Sequence, residues 1–178
     1  DLVALSSDSF VRPELIYDGS LKIRGGRHLA VSRLQAFASR GEGSFVANDC
    51  TIGEDAKFVI VTGPNGSGKS TYIKTPVTII ILAQIGCFVP AIQAIIPIRD
   101  RILTRIGTDD DMEHNISTFS MEMKETAYIL NNATKKSMII IDELGRGTSN
   151  LDGIAIAFSI AEEMIRRDVM TLFVTHYN

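Results

Sequence analysis

Residues 63–70 read GPNGSGKS, which fits the pattern G-x-x-x-x-G-K-[ST] of a phosphate-binding loop. Glycines let backbone N–H groups turn inward around a phosphate, and the helix start that follows adds partial positive charge. Lys69 is expected to reach the β- and γ-phosphates, and the Ser70 hydroxyl is expected to coordinate Mg²⁺. The loop therefore predicts a site for a nucleoside triphosphate with magnesium.

A second group of chemically capable residues follows the apolar run at residues 138–141, which ends in Asp142 and Glu143. Near a phosphate loop, Asp142 can enter the coordination shell of Mg²⁺, and Glu143 can orient or deprotonate an attacking water. An acidic pair at a strand end is on its own equally typical of a solvated edge, so its weight depends on Lys69. Together these residues predict hydrolysis of the bound triphosphate.

Three other features have competing interpretations. Ser117 opens a predicted helix, either as an ordinary N-cap or as the receptor of a second anion such as a γ-phosphate. His176 ends a predicted strand, where a structural role and a γ-phosphate contact are both open. The acidic run at residues 109–113 fails the calcium-loop pattern, because His114 stands at the glycine position and Ser120 at the closing glutamate position. We interpret that run as a solvated loop.

The elements that must position these residues alternate between apolar strands and helices. Residues 1–19 begin with a short helical tail, and short strands and loops are predicted up to residue 54. Buried strands are predicted at residues 58–62, 138–141 and 170–175, and helices at 69–85, 117–132 and 152–167. The predicted apolar stripes of the last two helices are Phe119, Met123, Ala127 and Leu130, and Ile154, Ala157, Phe158, Ala161 and Ile165. Such an alternation predicts a parallel sheet with helices on both faces, whose ligands bind beyond the carboxyl ends of the strands.

Composition excludes several classes of protein. The chain has 178 residues with 45% hydrophobic and 22% charged residues, which is typical of a folded domain. Its net charge of −3 gives no general electrostatic case for nucleic-acid binding. The two cysteines form no C-x-x-C pair, which fits a reducing compartment. Residues 75–98 carry no charge, but three prolines interrupt them, so we expect a buried helix and a strand rather than a membrane span.

Taken together, the motifs resemble the ATPase domain of the MutS family, the DNA mismatch-repair and meiotic recombination ATPases with an ABC-type fold. The resemblance rests on four blocks in this order: residues 62–72, 117–123, 142–153 and 175–177. It extends from residue 12 to the end of the chain. Within the family, residues 108–119 and 127–130 are most similar to the eukaryotic meiotic homologue that promotes crossovers.

The resemblance implies an α/β fold, a P-loop NTPase of ABC-ATPase type with a mainly parallel sheet flanked by helices and a short N-terminal part rich in loops and strands. Residues 1–20 would be the tail end of a preceding lever or core region, and residues 21–178 an ATPase domain truncated at its C-terminus. ATP hydrolysis would be weak or absent in the isolated fragment. The implied partners are DNA, bound by regions outside this chain, and a different MutS-family subunit in a heterodimer, with no membrane; the implied location is the nucleus.

The resemblance also implies roles for individual residues. Lys69, Glu143 and His176 would be catalytic, with His176 sensing the γ-phosphate, and Ser70 and Asp142 would hold Mg²⁺. Phe45 would stack on adenine, and Ser117 would reach the γ-phosphate of a second subunit in trans. The residues implied to bind ATP are Phe45, Gly63, Pro64, Asn65, Gly66, Ser67, Gly68, Lys69, Ser70, Thr71 and, in trans, Ser117. Residues 145–148 would form the loop that crosses a dimer interface.

Two alternatives remain open. The first is a nucleotide-binding switch with little hydrolysis, which Pro76 favours because it lies inside the helix that follows the loop. The second is another ABC-type ATPase, such as one of chromosome maintenance. The absence of a Leu-Ser-Gly-Gly signature from the sequence speaks against the second alternative.

Overall fold

The computed structural model describes residues 10–38, 45–107, 115–145 and 148–176. The elements in chain order are β1 (Glu14–Ile16), β2 (Leu21–Gly26), α1 (Leu29–Ala38), β3 (Asn48–Ile52), β4 (Phe58–Val61), α2 (Lys69–Gln84), β5 (Gln93–Pro97), β6 (Ile102–Ile106), α3 (Asn115–Asn132), β7 (Met138–Asp142), α4 (Asn150–Arg166) and β8 (Met170–Val174). The chain divides into two compact units. The first comprises Asp1–Asp55 and Ser70–Ile98, and the second comprises Ala56–Lys69 and Arg99–Asn178.

The sheet of the second unit is parallel throughout, in the strand order β4-β8-β7-β6. Every residue of β7 and β8 is buried, as their largely apolar sequences predict. The predicted parallel sheet is thus confirmed. Its register aligns Val61 of β4 and Asp142 of β7 with Val174 of β8, so these three strands end side by side.

The strand before the phosphate loop differs from its prediction. The sequence predicts a buried strand at residues 58–62, whereas β4 is mostly half-buried and Ile60 is 60% exposed. The reason is its place in the sheet, because β4 is an edge strand that pairs only with β8. An apolar composition cannot distinguish a central strand from an edge strand.

The core of the second unit lies between the sheet and helices α3 and α4. Its buried residues are Leu103, Ile129, Ile139, Ile141, Leu144, Ala157, Ile160, Met164, Val169 and Phe173. The helices are rotated from the predicted stripes. In α3, Ala127 is exposed while Glu122 and Thr126 are buried; α4 buries Gly153, Ala157, Ile160 and Met164 and exposes Ile154, Phe158 and Ile165.

The first unit contains a mixed sheet in the order β1-β5-β2-β3, in which β1 and β5 are parallel and the other pairs antiparallel. The prediction of only strands and loops up to residue 54 is wrong at α1. His28 gives the missed signal, because its Nδ1 accepts a hydrogen bond from Val31 N at 3.4 Å and caps the first turn. The predicted N-terminal helical tail falls mostly on residues 1–9, outside the described residues.

Helix α2 follows the phosphate loop as predicted and continues through Pro76. Thr75 Oγ1 donates to Thr71 O at 2.8 Å within this helix. The uncharged stretch at residues 75–98 forms the rest of α2 and then strand β5, as expected. None of the described helices combines the length and apolar character that crossing a membrane requires.

The two cysteines are expected to differ strongly in reactivity. Both are free thiols; Cys87 is exposed, whereas Cys50 in β3 is buried, and burial raises the pKa of its thiol to about 11. Since the thiolate is the reactive form, Cys50 carries about a hundredfold less thiolate near pH 8 than an ordinary thiol. Titration of the native chain with a disulfide reagent should show one fast and one slow thiol. Cys87→Ser should remove the fast phase, and equal rates for both thiols would contradict this account.

Candidate nucleotide-binding site

The carboxyl ends of β4, β7 and β8 bring three predicted site segments to one edge of the parallel sheet. The phosphate loop follows β4, Glu143 follows β7, and His176 lies just beyond β8. Two hydrogen bonds fasten these ends: Thr175 N donates to Val61 O at 3.2 Å, and Glu143 N donates to Val174 O at 3.1 Å. The spacing of the motifs along the chain thus becomes proximity at the sheet edge where α/β ligands bind.

The phosphate loop turns at two glycines with left-handed backbone. Gly66 has φ +76° and Gly68 has φ +92°, and no atom lies within 4 Å of a Cβ built on either residue. The glycines therefore serve the conformation of the loop rather than close packing. Residues 64–68 are exposed, so a ligand can approach their backbone.

Lys69 begins helix α2 and is folded back over its own loop. The residue is 9% exposed, and its Nζ donates to Gly63 O at 2.8 Å and to Pro64 O at 2.9 Å. Neutral carbonyls are weaker acceptors than anionic oxygens. The ammonium is consequently placed where a phosphate could take over as its stronger partner.

Asp142 carries a feature that fits a cation. The residue is 5% exposed, and its Oδ1 is buried with no hydrogen-bond partner among the described residues. A buried carboxylate oxygen without a partner is costly, and a metal ion or a bound donor removes that cost. No group of three or more His, Cys, Asp or Glu side chains in the described part of the chain could hold a metal. Mg²⁺ in nucleotide sites needs only one or two carboxylates together with phosphates, so Asp142 suits it.

Glu143 and His176 are brought into direct contact. Glu143 Oε1 meets His176 Nε2, and the side chains are 14% and 31% exposed respectively. Glu143 has φ +57°, in the left-handed region that few residues other than glycine adopt. Such a conformation persists where its surroundings fix it, and it is common at functional sites.

Glu122 and Arg105, two charged residues to which the sequence analysis assigned no role, lie beside the turn after β7. Glu122 of α3 is 2% exposed, and its Oε1 accepts hydrogen bonds from Arg105 Nη2 at 3.1 Å and from Gly145 N at 3.0 Å. No local pattern signals it, because the buried face of α3, which holds Glu122, Thr126 and Ile129, differs from the predicted apolar stripe.

Some predicted residues are not joined to this edge. Phe45, Ser70 and Thr71 belong to the first unit, so their roles stay predictions. The helix expected to open at Ser117 begins at Asn115, so Ser117 is not its N-cap but lies in its first turn. The side chain of Ser117, the acidic run at residues 109–113 and residues 146–147 lie outside the described part, and the trans role of Ser117 stays a prediction.

Gly145 lies in the turn after β7 under a tight steric constraint. It has φ +89°, and an added Cβ would lie 2.7 Å from Gly153 Cα and 2.9 Å from Gly153 O. Gly145→Ala should lower the free energy of unfolding by about 2–5 kcal/mol, because left-handed strain and overpacking add. Gly86→Ala is the matched control, since Gly86 has φ +85° but open space around it, and should cost about 1–2 kcal/mol. Urea denaturation measures both, and equal losses would contradict the close contact.

Comparison with known proteins decides the family. MutS domain V matches residues 59–178, which include the phosphate loop, the acidic pair and His176. The chain belongs to the MutS domain V family. It is 50% identical over 175 residues to the DNA mismatch repair protein MutS of Thermodesulfovibrio yellowstonii, covering 97% of this chain and 20% of that protein. The MutS protein of Thermotoga petrophila is 47% identical over 169 residues, which are 95% of this chain and 20% of that protein. The MutS protein of Listeria monocytogenes is 48% identical over 171 residues, which are 95% of this chain and 19% of that protein.

These MutS relatives correct one prediction and leave another without support. The chain spans about a fifth of the length of the curated relatives it matches. The predicted nuclear location is wrong, because the relatives are proteins of bacteria, which have no nucleus. The comparisons also give no support for the eukaryotic meiotic branch, whereas the resemblance to the MutS family itself is confirmed.

Proposed function

We propose that this chain is the ATP-binding and ATP-hydrolysing domain of a MutS-family protein of DNA mismatch repair, with the ABC-type arrangement of a P-loop NTPase. The observation that carries the proposal is the convergence of the phosphate loop, the orphaned Asp142 Oδ1 and Glu143 at one sheet edge. A phosphate binder, a cation ligand and a carboxylate base are the parts that triphosphate hydrolysis requires. The repair context comes from the relatives, which are DNA mismatch repair proteins.

Each residue has a proposed role in this site. Loop N–H groups at residues 65–69 and the ammonium of Lys69 bind the phosphates, while Phe45 stacks on adenine and Thr71 also contacts the nucleotide. Ser70 and Asp142 would hold Mg²⁺, which when bound would neutralise negative charge on the phosphates. Glu143 orients or deprotonates the attacking water. His176, in contact with Glu143, would also meet the γ-phosphate.

The proposal extends to the whole protein. We propose that it binds DNA through regions outside this chain, and that two MutS-family subunits associate so that Ser117 of each completes the ATP site of the other. Binding of ATP would then change the affinity for DNA by allosteric coupling. A site completed in trans has a simple kinetic signature, because its turnover depends on protein concentration.

Steady-state hydrolysis of Mg²⁺-ATP over a wide range of protein concentrations tests this proposal. The expected result is a rate per chain that climbs with concentration and disappears in Lys69→Ala. A rate that Lys69→Ala retains would refute the assignment of the loop. ATP binding without turnover at any concentration would instead favour a nucleotide-binding switch.

A further inference from the structure

Glu122 connects three elements of the second unit through one carboxylate oxygen. Its Oε1 accepts from Arg105 Nη2, in strand β6, and from Gly145 N, in the turn two residues beyond Glu143. Within helix α3, Thr126 Oγ1 also donates to Glu122 O at 2.7 Å, a bond between successive turns of the same helix. The turn after β7 is therefore bonded to helix α3, and the same oxygen of Glu122 also bonds to strand β6.

The burial of Glu122 makes its hydrogen bonds to Arg105 and Gly145 costly to break. The residue is 2% exposed, and a buried carboxylate leaves its partners unsatisfied if it moves away. Glu125 contributes differently. Its Oε2 lies 3.1 Å from Arg105 Nε, yet that nitrogen has no partner with hydrogen-bond geometry among the residues that the structure describes, and the side chain of Glu125 is 45% exposed. Glu125 thus forms an ion pair with Arg105, whereas Glu122 accepts hydrogen bonds from both Arg105 and Gly145.

The turn that Glu122 fixes holds the strained Glu143. One side of the turn is fastened where Glu143 N donates to Val174 O, and the other side where Gly145 N donates to Glu122. A left-handed glutamate needs such restraint on its backbone. We propose that Glu122 is a positioning residue whose bond to Gly145 N aims the Glu143 carboxylate for hydrolysis. This inference rests on the proposed role of Glu143.

Three variants of the whole chain separate positioning from general stability. Glu122→Ala removes both bonds. Glu122→Gln keeps an oxygen that can accept from Gly145 N but loses the charge that faces Arg105. Glu125→Ala is the matched control, because it changes a carboxylate on the same helix beside the same Arg105.

The readouts are amide hydrogen exchange at Gly145 and the kinetic constants of ATP hydrolysis. Glu122→Ala should speed Gly145 exchange about tenfold or more and lower kcat by a similar factor with KM unchanged. Glu122→Gln should restore most of both values, and Glu125→Ala should leave both near wild type. In a Glu143→Ala background, Glu122→Ala should have no further effect on kcat.

The outcomes distinguish this inference from the proposed function. Gly145 exchange that is unchanged in Glu122→Ala overturns the inference even if the chain shows no measurable turnover. So does an equal fall in kcat in the wild-type and Glu143→Ala backgrounds, which would mark Glu122 as merely structural. If Glu143→Gln alone leaves kcat unchanged, the proposed function fails instead. If Glu122→Ala does not fold, Glu122→Gln is compared with the control Glu125→Ala. A kcat of Glu122→Gln below half that of the control, without faster amide exchange at Gly145, overturns the inference.

Discussion

Replacing Glu143 with glutamine should lower kcat for ATP hydrolysis by about 10²–10⁴-fold, the usual contribution of a general base. Glutamine keeps the size of the side chain and can still bond to His176, but it cannot take a proton from water. ATP affinity should change less than about threefold, since phosphate binding is assigned to the loop and Lys69. The change therefore separates chemistry from binding.

Steady-state hydrolysis and calorimetric titration with ATP measure the two quantities for Glu143→Gln. The control is Glu162→Gln, the same chemical change on the exposed surface of α4, which should alter neither. An unaltered kcat in Glu143→Gln would remove Glu143 from the mechanism. A loss of ATP binding equal to the loss of kcat would assign it to binding instead.

Replacing Lys69 with alanine should weaken ATP binding by about two to four orders of magnitude. A hydrogen bond to a charged group contributes about 1.5–3 kcal/mol, and Lys69 is proposed to contact two phosphates. The fold should be little affected, because within the described part of the chain the side chain bonds to two carbonyls of its own loop, Gly63 O and Pro64 O. Calorimetric titration with Mg²⁺-ATP measures the change.

Lys57→Ala is the matched control for Lys69→Ala. Lys57 precedes β4, at the opposite end of the strand from the phosphate loop, and pairs with Asp168 at 2.6 Å. Its loss removes the same charge from the second unit, and ATP affinity should stay near that of the wild type. If both variants bind ATP as tightly as the unmodified chain, the loop is not the phosphate site.

Local patterns predicted the parts of this molecule that depend on local chemistry. The run at residues 138–141 is apolar throughout and that at 170–174 is apolar except at Thr171, and such runs fold as central parallel strands. The loop at residues 63–70 and the pair Asp142–Glu143 were placed at the same sheet edge because parallel strands share one carboxyl end.

Features that depend on tertiary contacts could not be predicted. The faces that α3 and α4 bury are offset from the apolar stripes, since Gly153 packs on Gly145 and Glu122 bonds to Arg105. Arg105, Glu122 and Gly145 are separated by 17 and 23 residues, and only folding brings them together. Nothing in local spacing indicates that contact.

The incorrect nuclear location has a different origin. It followed from the meiotic branch, which depended on short stretches at residues 108–119 and 127–130. Identity of 50% over 175 residues to a bacterial protein is a broader comparison than similarity within those stretches. The family model matches residues 59–178, which include the motifs that bear on chemistry, and that match identifies the family without distinguishing its branches.

A crystal structure of the chain with a non-hydrolysable ATP analogue and Mn²⁺ in place of Mg²⁺ tests the central claim most directly. The account predicts phosphate oxygens on the backbone N–H groups of residues 65–69, the ammonium of Lys69 turned from its loop carbonyls to phosphate, and an anomalous manganese peak beside Asp142 Oδ1. A nucleotide bound elsewhere while the loop holds none, or manganese remote from Asp142, would contradict it.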